Sequence, residues 1–132
     1  MGYKNKTNKE YQTEWRAKNP ERSREISRRW LKIHPEEARK KLQKSRQKVK
    51  FEILKKYGGD PPKCACCGEK IIEFLTIDHI NGDGNKHRKM EPAAKDICYW
   101  LRSHKYPNGY RVLCMNCNFA MRFNKECPHQ KK

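Results

Sequence analysis

Two patterns of apolar and polar positions divide this chain. Up to about residue 57 the apolar residues are few and widely spaced. Trp15, Ile26, Trp30, Ile33, Leu42, Val49 and Ile53 stand in a run dominated by charge. Proline suits the first turn of a helix, where its missing N–H costs no hydrogen bond. The pattern therefore predicts successive helices restarted at Pro20 and Pro35, the last running from Pro35 to about Tyr57. Asn19 is placed to cap the helix that follows it, and Glu21 and Glu36 suit positive helix N-termini. The stretch "YGGDPPKC" ends this region, because Gly58-Gly59 and Pro61-Pro62 stop any helix. Beyond it the apolar residues gather into short blocks. "IEFLTI" predicts a strand from Ile72 to Ile77, and "YRVLC" predicts a second. "AAKDICYWLRSH" and "MNCNFAMRFNK" predict helices. The fold class is α+β, with a helical arm over residues 1–58 and a compact domain over 59–132.

The arm contains a repeat. "WRAKNPERSR" and "WLKIHPEEAR" begin fifteen residues apart, so that Trp15 matches Trp30, Pro20 matches Pro35, Glu21 matches Glu36 and Arg24 matches Arg39. Its sparse apolar positions cannot bury a core, and two copies are too few for a self-supporting solenoid. The arm is expected to lie along a partner. Removing residues 1–57 is expected to leave the rest folded.

Charge narrows the partner. The 132 residues carry 32 Lys/Arg against 15 Asp/Glu, a formal net charge of +17. Residues 1–57 alone hold 19 basic and 7 acidic side chains. Such an excess predicts a polyanionic partner, nucleic acid above all. Arg24, Arg28, Arg29, Arg39, Lys40 and Lys44 are the expected phosphate contacts of the arm. Contacts of that kind give affinity and salt dependence but no sequence readout. No apolar run approaches the roughly 18 residues of a membrane span, and "MGYKNKTNKEYQ" holds no signal-peptide stretch. The expectation is an intracellular protein with no membrane partner.

Seven cysteines in a reducing compartment point to metal rather than disulfides. Cys64 and Cys67 form one C-x-x-C pair and Cys114 and Cys117 another. Four thiolates complete a tetrahedral shell for a structural Zn²⁺. Gly68 follows the first pair and eases its tight turn. The 46 residues between Cys67 and Cys114 imply that something is looped out between the two knuckles. Cys64-x-Cys66 is an alternative pairing. Cys98, in a predicted helix, reads as an ordinary buried cysteine. Cys127 and His129 lack visible partners and read as a C-terminal packing feature or a free thiol.

The looped-out part carries "FLTIDHINGDGNKHR", in which a hydrophobic run ends in Asp78-His79 and a glycine-rich polar loop follows. The order is knuckle, strand, loop, strand, knuckle, helix. On the last helix Asn118 lies four residues beyond Cys114 and faces the same way, toward the strands, so it can approach Asp78.

With these residues in hand, the chain resembles the HNH (His-Me finger, ββα-metal) endonucleases of phage type. It is similar in particular to the zinc-containing recombination endonuclease VII group. The matching residues are Cys64, Cys67, Asp78, His79, Cys114, Cys117 and Asn118, within roughly residues 60–130. Proline-restarted, Trp-containing basic repeats also accompany such domains. The resemblance implies a zinc-braced ββα-metal core that hydrolyses phosphodiester bonds in double-stranded DNA, branched DNA included. By it, His79 is the general base, Asp78 and Asn118 hold one catalytic Mg²⁺ or Mn²⁺, and the zinc is scaffolding. The expected products carry 5′-phosphate and 3′-hydroxyl ends. A monomer would nick, and a homodimer would be needed to break both strands. If phage-encoded, the enzyme would work in the host cytoplasm, as a homing, packaging or resolving nuclease. The ending on Asn118 matches the endonuclease VII variety. The middle asparagine that orients the base in many members has three candidates, Asn81, Asn85 and Asn108, with a backbone carbonyl as the other option. His87 and Arg88 are expected to clamp the scissile phosphate; Asp83 could add a carboxylate near the metal, but between two glycines it reads as a plain turn residue. The rival reading is a zinc module of the same shape that grips DNA or RNA without cutting.

Overall fold

The computed structural model describes residues 6–124 and 126–130. Among these residues it is α+β, with six α-helices and one two-stranded antiparallel sheet. The chain divides into two compact units, one ending at Gln43 and the other starting at Lys44.

The first unit holds α1 (Asn8–Lys18), α2 (Pro20–Ile33) and the start of α3 (Pro35–Gly58). A capping box opens α1: the Thr7 side chain accepts from the Glu10 N–H at 3.4 Å, and the Glu10 carboxylate accepts from the Thr7 N–H at 2.8 Å. The prolines open α2 and α3 as the sequence predicts. Asn19 behaves differently from expectation. It makes no side-chain cap to α2. Its backbone N–H and its Nδ2 both donate to Trp15 O at 2.9 Å, so it closes α1. The physical reason lies in Pro20, which keeps the preceding residue out of the helical region and ends α1 there. His34 repeats the move, its N–H donating to Trp30 O at 2.9 Å before Pro35. The ion pairs Glu21–Arg24 (2.7 Å) and Glu36–Arg39 (3.0 Å) then follow each proline. The fifteen-residue repeat is thus a repeated stop-and-restart signal. Neither α1 nor α2 buries a side chain.

The boundary between the units falls inside α3, not after Gly58. Val49, Ile53 and Leu54 on the C-terminal half of α3 are buried in the second unit. Val49 and Ile53 pack with Leu101 of α5 (Ile97–Ser103), and Leu54 joins Leu75, Val112 and Leu113. Ser45–Tyr99 (2.9 Å) and Tyr57 Oη to Pro107 O (2.7 Å) add polar ties. Residues 44–58 therefore belong with the compact domain. The expectation that the rest folds without residues 1–57 stands against these three buried side chains, which such a chain would lack.

In the second unit β1 (Leu75–His79) pairs with β2 (Tyr110–Cys114), Leu75 opposite Cys114 and His79 opposite Tyr110. α6 (Met115–Met121) leaves β2 directly. The predicted strand over Ile72–Ile77 is shifted. Glu69 accepts the N–H groups of Lys70 and Ile71 at 2.8 Å each, Ile72–Phe74 form a 3-10 turn, and pairing starts only where β2 offers a partner. The polar segment expected as a loop holds α4 (Gly84–Met90). The helix predicted over "AAKDICYWLRSH" is split into a 3-10 turn, Pro92–Lys95, and α5. None of the described helices is long and apolar enough to cross a membrane.

Candidate functional site

Two neighbouring sites lie in the second unit, one of sulfur and one of oxygen and nitrogen. The sulfur site is built by turns. Cys64–Gly68 is closed by the Gly68 N–H on Cys64 O at 3.0 Å, with Gly68 at φ +78, a region that favours glycine. Cys114 caps α6, its sulfur accepting from the Cys117 N–H at 3.4 Å. Cys64, Cys67, Cys114 and Cys117 bring one sulfur each within 4.8 Å of one another. Cys67 Sγ lies 3.6 Å from Cys114 Sγ. A tetrahedral shell with metal–sulfur bonds of about 2.3 Å sets its sulfurs about 3.8 Å apart, so this quartet fits a single ion such as zinc. Burial raises the Cys64 thiol, but backbone N–H groups of Cys67, Cys114 and Cys66 more than offset it and hold the pKa at about 6. Burial pushes Cys117 the other way, strongly upward, with Cys114 and Cys127 beside it adding to the rise. A bound cation is what would let such crowded sulfurs ionise together.

Cys127 and His129 are not partnerless. They meet Cys66 and Cys117, and these four form a second group with ligand atoms within 4.8 Å. Cys66 thus stands with the second group, and Cys67 with the first. Cys98 is half-buried against the Val49–Ile53–Leu101 cluster, as an ordinary packing cysteine would be.

The second site is an open cleft of about 750 Å³ lined by Asp78, His79 and Asn118, with Arg88, Arg111 and Arg122. Strand β1 delivers Thr76 and Asp78 to one face by its period of two. Arg111, opposite Asp78 in the sheet, donates from Nε to Asp78 Oδ2 at 2.8 Å. Thr76 gives its hydroxyl proton to Leu113 O (3.0 Å), so its oxygen can only accept, and Asn118 Nδ2 donates to it at 2.9 Å. That contact fixes the amide with its NH₂ toward Thr76 and leaves its carbonyl oxygen unengaged. Among the described residues, neither Asn118 Oδ1 nor Asp78 Oδ1 carries a hydrogen bond.

His79 is held by rings. Its Nε2 lies 2.9 Å from His87 Nδ1, and Tyr110 stands edge-on at 4.7 Å between centroids. Trp100 backs His87 at 4.3 Å. Burial lowers the His79 pKa from its ordinary 6.5, which favours the neutral imidazole. A Cβ on Gly84 would come within 3.0 Å of His79 Nδ1, so the first turn of α4 packs close beside the ring.

The sequence-predicted residues therefore divide. Asp78, His79, Asn118 and Arg88 share the cleft. His87 is not part of its lining and sits on the far nitrogen of His79. Among the described residues this His87 contact is the side-chain hydrogen bond that His79 makes, and none of Asn81, Asn85 and Asn108 bonds to its ring. Asn85 instead accepts from Arg88 at 2.6 Å. In the first unit Arg24 and Arg39 are paired to Glu21 and Glu36, whereas Arg28, Arg29 and Lys40 are exposed and without an ion pair among the described residues. Lys44, at the start of the second unit, is exposed likewise. Thr76, Arg111 and Arg122 were missed. Thr76 was legible, lying two residues before Asp78 on one strand, but Arg111 needed the register. Comparison with protein-family models, with curated proteins and with solved structures finds no match to this chain.

Proposed function

We propose that the chain is a metal-dependent DNA endonuclease of the HNH type, with a zinc-braced ββα-metal core and a basic helical arm. The observation that carries this reading is the cleft lined by an imidazole, a carboxylate and an amide together with three arginines. The donor chemistry suits both metals. Cys64, Cys67, Cys114 and Cys117 would hold Zn²⁺ as a brace between the knuckles. The free oxygens of Asp78 and Asn118 are hard ligands that would hold one Mg²⁺ or Mn²⁺ with several waters retained. When bound, that ion supplies positive charge beside the scissile phosphate and the departing 3′ oxygen.

The side chains do the rest. With His87 Nδ1 accepting from His79 Nε2–H, the lone pair of His79 sits on Nδ1, and that atom takes the proton from the attacking water. Arg88 and Arg122 offer guanidinium groups to phosphate oxygens in the cleft. Arg111 holds Asp78 in place from the neighbouring strand. Exposed Arg28, Arg29, Lys40 and Lys44 add phosphate contacts outside the cleft.

The test uses the purified protein on supercoiled plasmid, linear DNA, branched DNA and RNA with Mg²⁺ or Mn²⁺. Nicking of plasmid that EDTA stops is expected. His79→Ala should lower the rate by about 10²- to 10⁴-fold while binding persists. Tight binding with no cleavage under any of these conditions would transfer the protein to the rival class of non-cutting modules. Equal rates in wild type and His79→Ala would remove His79 from the mechanism.

A further inference from the structure

The second cysteine–histidine group carries a site of its own. His129 Nδ1 lies 3.3 Å from Cys117 Sγ and 3.5 Å from Cys127 Sγ, and Cys66 completes the set within 4.8 Å. Cys117 belongs to both quartets. Among residues 126–130, Cys127 is the one buried side chain, while Glu126, Pro128, His129 and Gln130 are exposed. Nearby Phe123, the large apolar side chain that ordinary packing would use, is 74% exposed. A sulfur has gone inside where a phenyl ring has not.

We propose that the chain binds two zinc ions in one cluster, joined by the Cys117 thiolate. Cys64, Cys67, Cys114 and Cys117 hold the first ion, and Cys66, Cys117, Cys127 and His129 hold the second. Seven side chains are one donor short of two tetrahedral shells, and one shared thiolate supplies the missing position. The charge balance favours the arrangement. Four thiolates around one dication carry −2. The second dication brings two further thiolates and a neutral imidazole, so the cluster stays at −2 and the small core takes on no extra charge. On binding, Cys66 and Cys127 release their thiol protons to solvent, and His129 coordinates through Nδ1. The second ion fastens the 126–130 segment to the start of α6, the helix that bears Asn118. The cluster does not depend on the nuclease reading. A protein that holds two zinc ions and leaves DNA intact would keep the cluster and lose the endonuclease.

The experiment counts metal in the full chain. Native mass spectrometry and elemental analysis of protein made in zinc-supplemented medium should give two zinc ions per chain. Cys127→Ser and His129→Ala should each give one. His129 is exposed, so its variant keeps the test decisive if Cys127→Ser does not fold. After exchange with ¹¹³Cd, two equal resonances should appear, each split by coupling through the common sulfur. One ion per chain in the wild type, unchanged in His129→Ala, overturns the proposal. Two unsplit resonances overturn the shared thiolate.

Discussion

Asn118 has no choice about its amide, because the Thr76 hydroxyl has already donated to Leu113 O and can only accept. Thr76→Val keeps the shape of the strand and removes that constraint. One hydrogen bond is worth about 1 kcal/mol net. Nicking by the variant should therefore fall about two- to tenfold with DNA affinity unchanged, as kcat and Kd measured side by side would reveal. Gly84 makes the matching argument for His79. An added methyl would sit 3.0 Å from Nδ1 and 3.3 Å from Cε1, so the imidazole must turn aside. Gly84→Ala should lower the nicking rate about tenfold at constant Tm, since a misplacement of about 1 Å can cost about 100-fold and this shift is smaller. An unaltered rate would mean that the ring has slack. The four C-x-x-C cysteines were legible from residue type and spacing, whereas Asp78, His79 and Asn118 were singled out as a set through the resemblance to the HNH pattern, and they line one cleft. The contact of His87 with His79 was not legible. It depends on a short helix whose single large apolar residue, Met90, is 72% exposed, so no periodicity announced it.

Helix α3 is the element on which the sequence reading went furthest and then failed. Its ends, Pro35 and Gly58, follow from proline and glycine. Its allegiance does not, because Val49, Ile53 and Leu54 look as sparse as the exposed Ile26 and Ile33 until a partner surface is known. The three buried side chains are worth about 1.5–3 kcal/mol each. A small domain has about 5–15 kcal/mol in all. A chain starting at Lys44 should melt within a few degrees of the full protein. A chain starting at Gly59 should show no cooperative transition. Circular dichroism melts of the two, with zinc present, compare them directly, and equal Tm values would return the boundary to the glycines. The apolar run Ile72–Ile77 starts three residues before β1 and stops two short of its end for a related reason: apolar composition marks a strand, but its ends are set by where the partner strand lies.

For the molecule as a whole, the net charge of +17 governs how it meets a polyanion. On the proposed reading, residues 1–43 touch phosphates without reading bases. Deleting them should weaken binding to all sequences alike and flatten the dependence of log K on log salt, by about 0.9 for each phosphate no longer neutralised. An unchanged slope would assign the neutralising side chains to the second unit. Charge asymmetry and α+β class were visible in composition and pattern. The convergence of Cys66, Cys117, Cys127 and His129 was not, since it joins a turn near residue 66 to a segment more than sixty residues later, and only the folded chain measures that distance. The same deletion has an optical consequence. Trp15 and Trp30 leave with it, and Trp100 becomes the sole indole, its ring 4.3 Å from His87, which in turn touches His79. The shortened chain then carries a built-in lamp two side chains from the cleft, and its emission tracks any movement of the imidazole pair without an added dye.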